Sequence, residues 1–186
     1  MVLSLFLRFR NFWRKLSVKW KAGFLTLFLI VGALSIPGFV RETASSQIHQ
    51  AELYFLDAPT VAIGQDFPVE LRIKTNGTNI NAMGFTIIYN PLYLQVTSMT
   101  TDNSFCTFYL DNSYDNQKGQ VKLSCGAPNP GFRGDSLAVH LTMRGSIAGN
   151  PSVIVDPTTT LLLANDAKGS NIVKSSPKLS LNIQQL

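Results

Sequence analysis

Phe67-Pro68-Val69-Glu70-Leu71-Arg72-Ile73 carries an aromatic or aliphatic side chain at every odd position and mostly polar ones between. A strict period of two puts the odd residues on one face of a β-strand and the even ones on the other. The same alternation recurs in Phe85-Thr-Ile87-Ile-Tyr89 and in Leu137-Ala-Val139-His-Leu141-Thr-Met143. Each of these strands buries one face and leaves the other wetter, as antiparallel sheets do. Working outward, residues 51–186 show no stretch with a sustained 3.6-residue apolar period. Short β-branched and aromatic runs recur instead, broken by Gly, Pro, Asn and Asp. Candidate strands are Ala51–Leu56, Phe67–Thr75, Ala82–Tyr89, Leu94–Met99, Phe105–Leu110, Gln120–Cys125, Ser136–Arg144, Ser152–Asp156, Thr159–Leu163 and Leu179–Ile183. Asn76-Gly77 marks a turn between two of them. A spacing of roughly ten residues between strands implies an all-β sandwich or jelly roll. A chain of this length buries a single core.

Upstream of that region the composition changes. Of the 16 Lys and Arg residues, seven (Arg8, Arg10, Arg14, Lys15, Lys19, Lys21, Arg41) lie within residues 1–41, which contain no acid. The remaining nine face all 11 acidic residues over 42–186, so the net charge of +5 belongs to the N-terminal segment. The larger part has no excess of basic surface, which argues against a nucleic-acid binder.

Residues 22–40, AGFLTLFLIVGALSIPGFV, form a run of 19 without a charge. As a helix this run extends about 28 Å, close to the hydrocarbon thickness of a bilayer. Six basic residues precede it, so the N-terminus is expected in the cytoplasm and the rest of the chain outside. The competing reading is a cleaved signal peptide with Ala33-Leu-Ser35 as its small-residue site. Residues 1–21 are long for a signal peptide and interleave Phe, Leu and Trp with Arg and Lys. That pattern suits an amphipathic segment on an anionic leaflet. The expected organisation is therefore a basic cytoplasmic segment (1–21), a transmembrane helix or signal sequence (22–40), a small polar tether (41–50) and a β-sandwich (51–186). The protein is expected to be a single-pass cell-membrane protein of bacterial type.

The two cysteines, Cys106 and Cys125, are expected to be oxidised outside the cytoplasm. Folding 105–110 against 120–125 as a hairpin, with Leu110 opposite Val121, places Phe108 opposite Leu123 and Cys106 opposite Cys125. Two Cys without a nearby His are too few for a zinc site, and Cys106 lacks an evident activating base.

Four segments in order resemble the cohesin domain, the receptor half of the cohesin–dockerin pair, within the carbohydrate-binding-module-like jelly rolls. They are Val61-Ala-Ile-Gly-Gln-Asp-Phe-Pro-Val69, Ile80-Asn-Ala-Met-Gly-Phe-Thr-Ile-Ile-Tyr-Asn-Pro-Leu-Tyr-Leu-Gln-Val96, Leu137-Ala-Val-His-Leu141 after Gly131-Phe-Arg-Gly134, and Leu163-Ala-Asn-Asp-Ala-Lys-Gly-Ser-Asn-Ile-Val173. The resemblance covers about residues 50–175. It implies a jelly-roll sandwich of about nine strands, no catalytic centre, no cofactor, and a flat face for a dockerin-like extracellular protein. An Asn and an Asp on the third strand help bind dockerin in type I cohesins. The aligned positions here are Ala82 and Gly84, which make no such hydrogen bonds.

By alternation the outward residues of the corresponding strands are Ala82, Gly84, Thr86 and Ile88, then Thr107 and Tyr109, then Lys122 and Ser124. Ile88 and Tyr109 are the expected apolar centre of a partner-binding face. The second reading is a polysaccharide-binding module, linked to polysaccharide degradation or cell-surface attachment. Residues 42–186 contain no Trp; Tyr109 and Tyr114 are candidates for part of a stacking platform, but three aligned rings are not evident. An enzyme is not expected: the histidines are His49, in the tether, and His140, mid-strand, and no nucleophile or zinc-protease motif is present. Asn165, Asp166 and Asn171 supply turn geometry. They are also a weak calcium set, since one carboxylate is a poor complement of ligands.

Overall fold

The computed structural model describes residues 50–57 and 60–185. The expected amphipathic segment 1–21, membrane span 22–40 and all of the tether except its last residue lie outside the described residues. Among those described, no helix is long and apolar enough to cross a membrane.

Twelve strands are present among the described residues: β1 (Glu52–Phe55), β2 (Val61–Ala62), β3 (Asp66–Lys74), β4 (Ile80–Tyr89), β5 (Leu94–Thr100), β6 (Phe108–Asp115), β7 (Gln120–Gly126), β8 (Asp135–Gly145), β9 (Ser152–Val155), β10 (Leu161–Ala164), β11 (Lys178–Ser180) and β12 (Ile183–Gln184). They form a four-stranded sheet in the order β1-β3-β8-β5 and a six-stranded sheet in the order β11-β9-β4-β7-β6, with β10 also on β4. A third, parallel pair, β12-β2, aligns Ile183 with Val61. The count exceeds nine because short segments pair separately. The expected strand Leu179–Ile183 splits at Leu181–Asn182, with β11 joining β9 and β12 joining β2.

The odd residues of the opening stretch, Phe67, Val69, Leu71 and Ile73, are all buried. β8 answers them antiparallel, Val69 opposite Leu141 and Phe67 opposite Met143. Pro68 is tolerated because β1 covers only Leu71–Lys74 of that strand, so the missing N–H falls where that side has no paired strand. From the other sheet Met83, Phe85, Ile87 and Tyr89 of β4, Val121 and Leu123 of β7, and Val153 and Val155 of β9 enter the same core. Two inner faces thus meet as in any sandwich, and the outer faces are free for polar or functional residues.

A side-chain clamp joins the sheets at one end. The Asn116 carbonyl oxygen accepts from the Tyr89 hydroxyl at 2.6 Å and from the Val96 N–H at 2.8 Å. Its amide nitrogen donates to the Val96 carbonyl at 2.9 Å. One turn residue therefore behaves as a short strand partner for β5 while tethering β4 of the opposite sheet. Burial pushes the Tyr89 phenol up to about 12, and the nearby Asp115 carboxylate adds to the shift.

Candidate functional site: the outer face of the six-stranded sheet

β4 is the centre of the face, and its outward residues are unusually small at one end. Gly84 lies opposite Ser124 of β7, Ala82 opposite Gly126, Thr86 opposite Lys122 and Ile88 opposite Gln120. On its other edge β10 brings Leu161 opposite Gly84 and Leu163 opposite Ala82, and β9 brings Ile154 opposite Ile88. Paired residues share a face in a pleated sheet. The result is a flat floor of Ala82, Gly84 and Ser124 bordered by exposed Leu161 and Ile88, with relative exposures of 47% and 39%. A Cβ at Gly84 would make only ordinary van der Waals contact, 3.7 Å from the Ser124 hydroxyl oxygen, so the glycine is not required by crowding.

Phe108 of β6 completes the border. It lies opposite Gly126, and a Cβ on that glycine would come within 2.2 Å of its ring. The ring therefore rests on the bare backbone of Gly126, beside Ala82, with half of Phe108 exposed. A glycine inside a strand marks such a close approach. Leu161, Leu163 and Phe108 were not among the expected face residues. The Gly126 signal was in the sequence, whereas the pairing of β10 with β4 spans some 80 residues of chain and leaves no local trace.

Of the expected residues, Ala82, Gly84, Ile88, Lys122 and Ser124 do lie together on this face, and Lys122 is exposed. Thr86 has the right orientation but is buried. Thr107 precedes β6 and its hydroxyl donates to the Gly126 carbonyl at 3.3 Å. Tyr109 is displaced from the expected row because the hairpin register differs. Val121 pairs with Tyr114, not Leu110, and Leu123 pairs with Asn112, not Phe108. A bulge between Tyr109 and Asp111 places Tyr109 opposite Cys125, whose side chain points into the core. The outward positions of β6 are instead Asp111, Ser113 and Asp115, opposite Ser124, Lys122 and Gln120. The expected register drove Phe108 and Leu110 inward to match Val121 and Leu123. No residue of β6 is buried, and Leu110 is 81% exposed.

The expected disulfide is present nonetheless. Cys106 bonds Cys125 with a Cα–Cα distance of 5.8 Å, from the loop before β6 and not from a strand position opposite it. The same loop is held by Phe105, stacked on Phe132 at a centroid distance of 4.7 Å.

The weak calcium set is engaged within its own loop. One Asp166 carboxylate oxygen accepts the backbone N–H groups of Lys168, Gly169 and Ser170, and the other accepts the Ser170 hydroxyl at 2.6 Å. The Ser170 hydroxyl, with these amides, holds the Asp166 carboxyl down at about 2. The Asn171 side-chain oxygen accepts from Leu162 and Val173, and Asn165 donates to Asn129 and Pro130. These side chains order the loop that follows β10 and turns Asn171 back beside Leu163. His140 lies on the other sheet, its Nδ1 3.3 Å from Glu70 across the β3–β8 pair.

No protein-family model and no curated protein matches the chain. Solved structures do. The cohesin CaCohA2 of Clostridium acetobutylicum superposes with a TM-score of 0.60 at 16% identity, over 73% of this chain and 92% of that one. A non-cellulosomal cohesin from the archaeon Archaeoglobus fulgidus gives 0.55 at 16% identity, over 73% and 92%. The sixth cohesin of the Acetivibrio cellulolyticus scaffoldin B, solved in complex with a Cel5 dockerin mutant, gives 0.52 at 17% identity, over 73% and 99%. The described part of this chain has the fold of cohesin modules.

Proposed function

We propose that the chain is a membrane-anchored, non-catalytic recognition module that captures a dockerin-like protein outside the cell on the outer face of its six-stranded sheet. The observation that carries this reading is the floor of Ala82, Gly84 and Ser124 between exposed Leu161, Ile88 and Phe108. Protein interfaces place apolar anchors around a closely approachable centre, and small residues let a partner's backbone come near. A cohesin of the same fold is solved with a dockerin, which makes a dockerin-like partner the first to test. Lys122, Asp111 and Asp115 supply a mixed-charge rim that orients a partner more than it tightens it. The apolar run 22–40, with basic residues before it, is the proposed anchor.

The test uses the full chain in detergent, immobilised and offered dockerin modules with calcium present or chelated, beside wells of insoluble polysaccharide. Calcium-dependent capture of a dockerin supports the reading, because in that family the metal belongs to the dockerin. Retention on polysaccharide with no dockerin captured would replace it with a carbohydrate-binding role. Alkaline extraction of membranes tests the anchor: the full chain stays in the pellet, and its release would refute the span.

A further inference from the structure

Beyond Ile88, where β4 turns toward β5, an open cleft of about 460 Å³ lies between that turn and the start of β9. Its apolar lining includes Ile88 and Ile154, which are paired across β4 and β9 and are not buried. Tyr93 lines it from the turn, and its ring is held in place. A Cβ on Gly149 would come 2.7 Å from that ring, so the ring rests against bare backbone. The Tyr93 N–H donates to the Asn90 carbonyl at 3.1 Å, and the Tyr93 carbonyl accepts from Ser146 at 2.9 Å. Asn90, Asn150 and Ser152 supply the polar lining. The Asn90 side-chain oxygen accepts the Leu92 N–H at 3.0 Å, which leaves its amide nitrogen without a partner among the described residues. The Asn150 amide and the Ser152 and Tyr93 hydroxyls have no such partner either. Asn116, Asn165 and Asn171, by contrast, are each engaged with other protein groups. No Asp, Glu, Lys, Arg or His lines the cleft.

We propose that this cleft binds a neutral saccharide, with one sugar ring against Tyr93 and its hydroxyls on Asn90, Asn150 and Ser152. A pyranose has an apolar C–H face and a rim of uncharged hydroxyls. A fixed aromatic ring takes the face. Amides and hydroxyls, which both donate and accept, match the rim. The volume lies in the range of small-ligand sites. Other ligand classes fit less well. A nucleotide or other phosphate ester requires a cation, and none lines the cleft. A wholly apolar ligand would cover the amides and hydroxyls without pairing them. The floor of Ala82, Gly84 and Ser124 lies toward the start of β4, and the cleft shares only Ile88 with its border. The inference therefore goes beyond protein capture: it adds a glycan site at the other end of the same sheet.

The test is calorimetric titration of the full chain, in a detergent without a sugar headgroup, with cellotetraose, xylotetraose, mannotetraose and chitotetraose. At least one of them binds with millimolar or tighter affinity. Tyr93→Ala and Asn150→Ala each weaken that binding by roughly tenfold or more, while far-ultraviolet circular dichroism still reports the sandwich. Tyr93→Phe, which keeps the ring, stays within about threefold of the unaltered chain. Leu161→Asp, on the border of the protein-capture floor, leaves sugar binding unchanged. Dockerin capture by the Tyr93→Ala chain, measured in parallel, separates failure of this proposal from failure of protein capture. Four sugars that all fail to bind, or sugar binding that survives both Tyr93→Ala and Asn150→Ala, would each overturn the proposal. So would a dockerin captured by the unaltered chain and lost in Tyr93→Ala with no sugar bound, which would assign the cleft to the protein interface.

Discussion

Asn116 satisfies three polar groups with one side chain, and its removal leaves all three without that partner. The Tyr89 hydroxyl and the Val96 N–H and carbonyl sit where the two sheets meet, with Tyr89 buried and Val96 buried. An unmade bond to a buried group costs about 1–3 kcal/mol. Asn116→Ala is therefore expected to lower unfolding stability by about 2 kcal/mol in urea denaturation, whereas Gln117→Ala, one residue along the same turn, stays within about 0.5 kcal/mol. Asp166 gives a second residue-level expectation. Its carboxyl is held at about 2 in the folded chain, below its ordinary 3.8. A depressed carboxyl stabilises the fold fully above its unfolded value and loses that contribution as pH falls through the folded one. Asp166→Asn is thus expected to be less stable than the unaltered chain at neutral pH, with the gap closing between about pH 4 and 2. A gap that is constant with pH would mean that the charge on Asp166 is not what orders its loop.

At the scale of elements, the legible strands are those with a core on one side. β3, β4, β7 and β8 alternate because one face of each meets the opposite sheet, and their boundaries fall within two residues of the sequence reading. β6 buries none of its residues. Its sequence, FYLDNSYD, carries no inside–outside period, and apolarity alone pointed Phe108 and Leu110 the wrong way. The bulge at Tyr109–Asp111 adds one residue that no pattern announces. The disulfide was legible despite this, since a count of two Cys leaves a single pairing. It ties the loop before β6 to the end of β7 across 19 residues. Closing a loop of that size stabilises by about 3 kcal/mol in the chain-entropy account. The double variant Cys106→Ala/Cys125→Ala is expected to lose about that much in equilibrium denaturation without reducing agent. A loss well below 1 kcal/mol would show that Phe105 on Phe132 already holds the loop in place.

For the whole molecule, the all-β sandwich was readable from periodicity, and the centre of the candidate face from the outward positions of two strands. The border of that face was not. Leu161 and Leu163 reach it because β10 pairs with the edge of β4 some 80 residues further along the chain, after strands of both sheets, a tertiary choice that local sequence does not encode. Phe108 reaches it because Gly126 has no side chain to keep the ring away. The two outer faces of the sandwich differ in character. On the four-stranded sheet Arg72 donates to Asp135 at 3.0 Å, Tyr54 donates to Asp135 at 2.7 Å and Arg144 donates to Asp66 at 2.6 Å, a largely self-satisfied polar surface. The six-stranded face keeps its apolar border uncovered. That contrast is why the proposed binding role is placed on the second face and not the first.

The central claim is that this face captures a protein, and its most direct test is the affinity of the full chain for a calcium-loaded dockerin module, compared across single variants. Leu161→Asp and Ile88→Asp are each expected to weaken binding by about 2 kcal/mol, roughly thirtyfold, as the loss of an interface anchor does. Arg72→Gln, on the opposite sheet, is expected to leave binding unchanged. Unchanged affinity in both aspartate variants, or a loss confined to Arg72→Gln, would contradict the account.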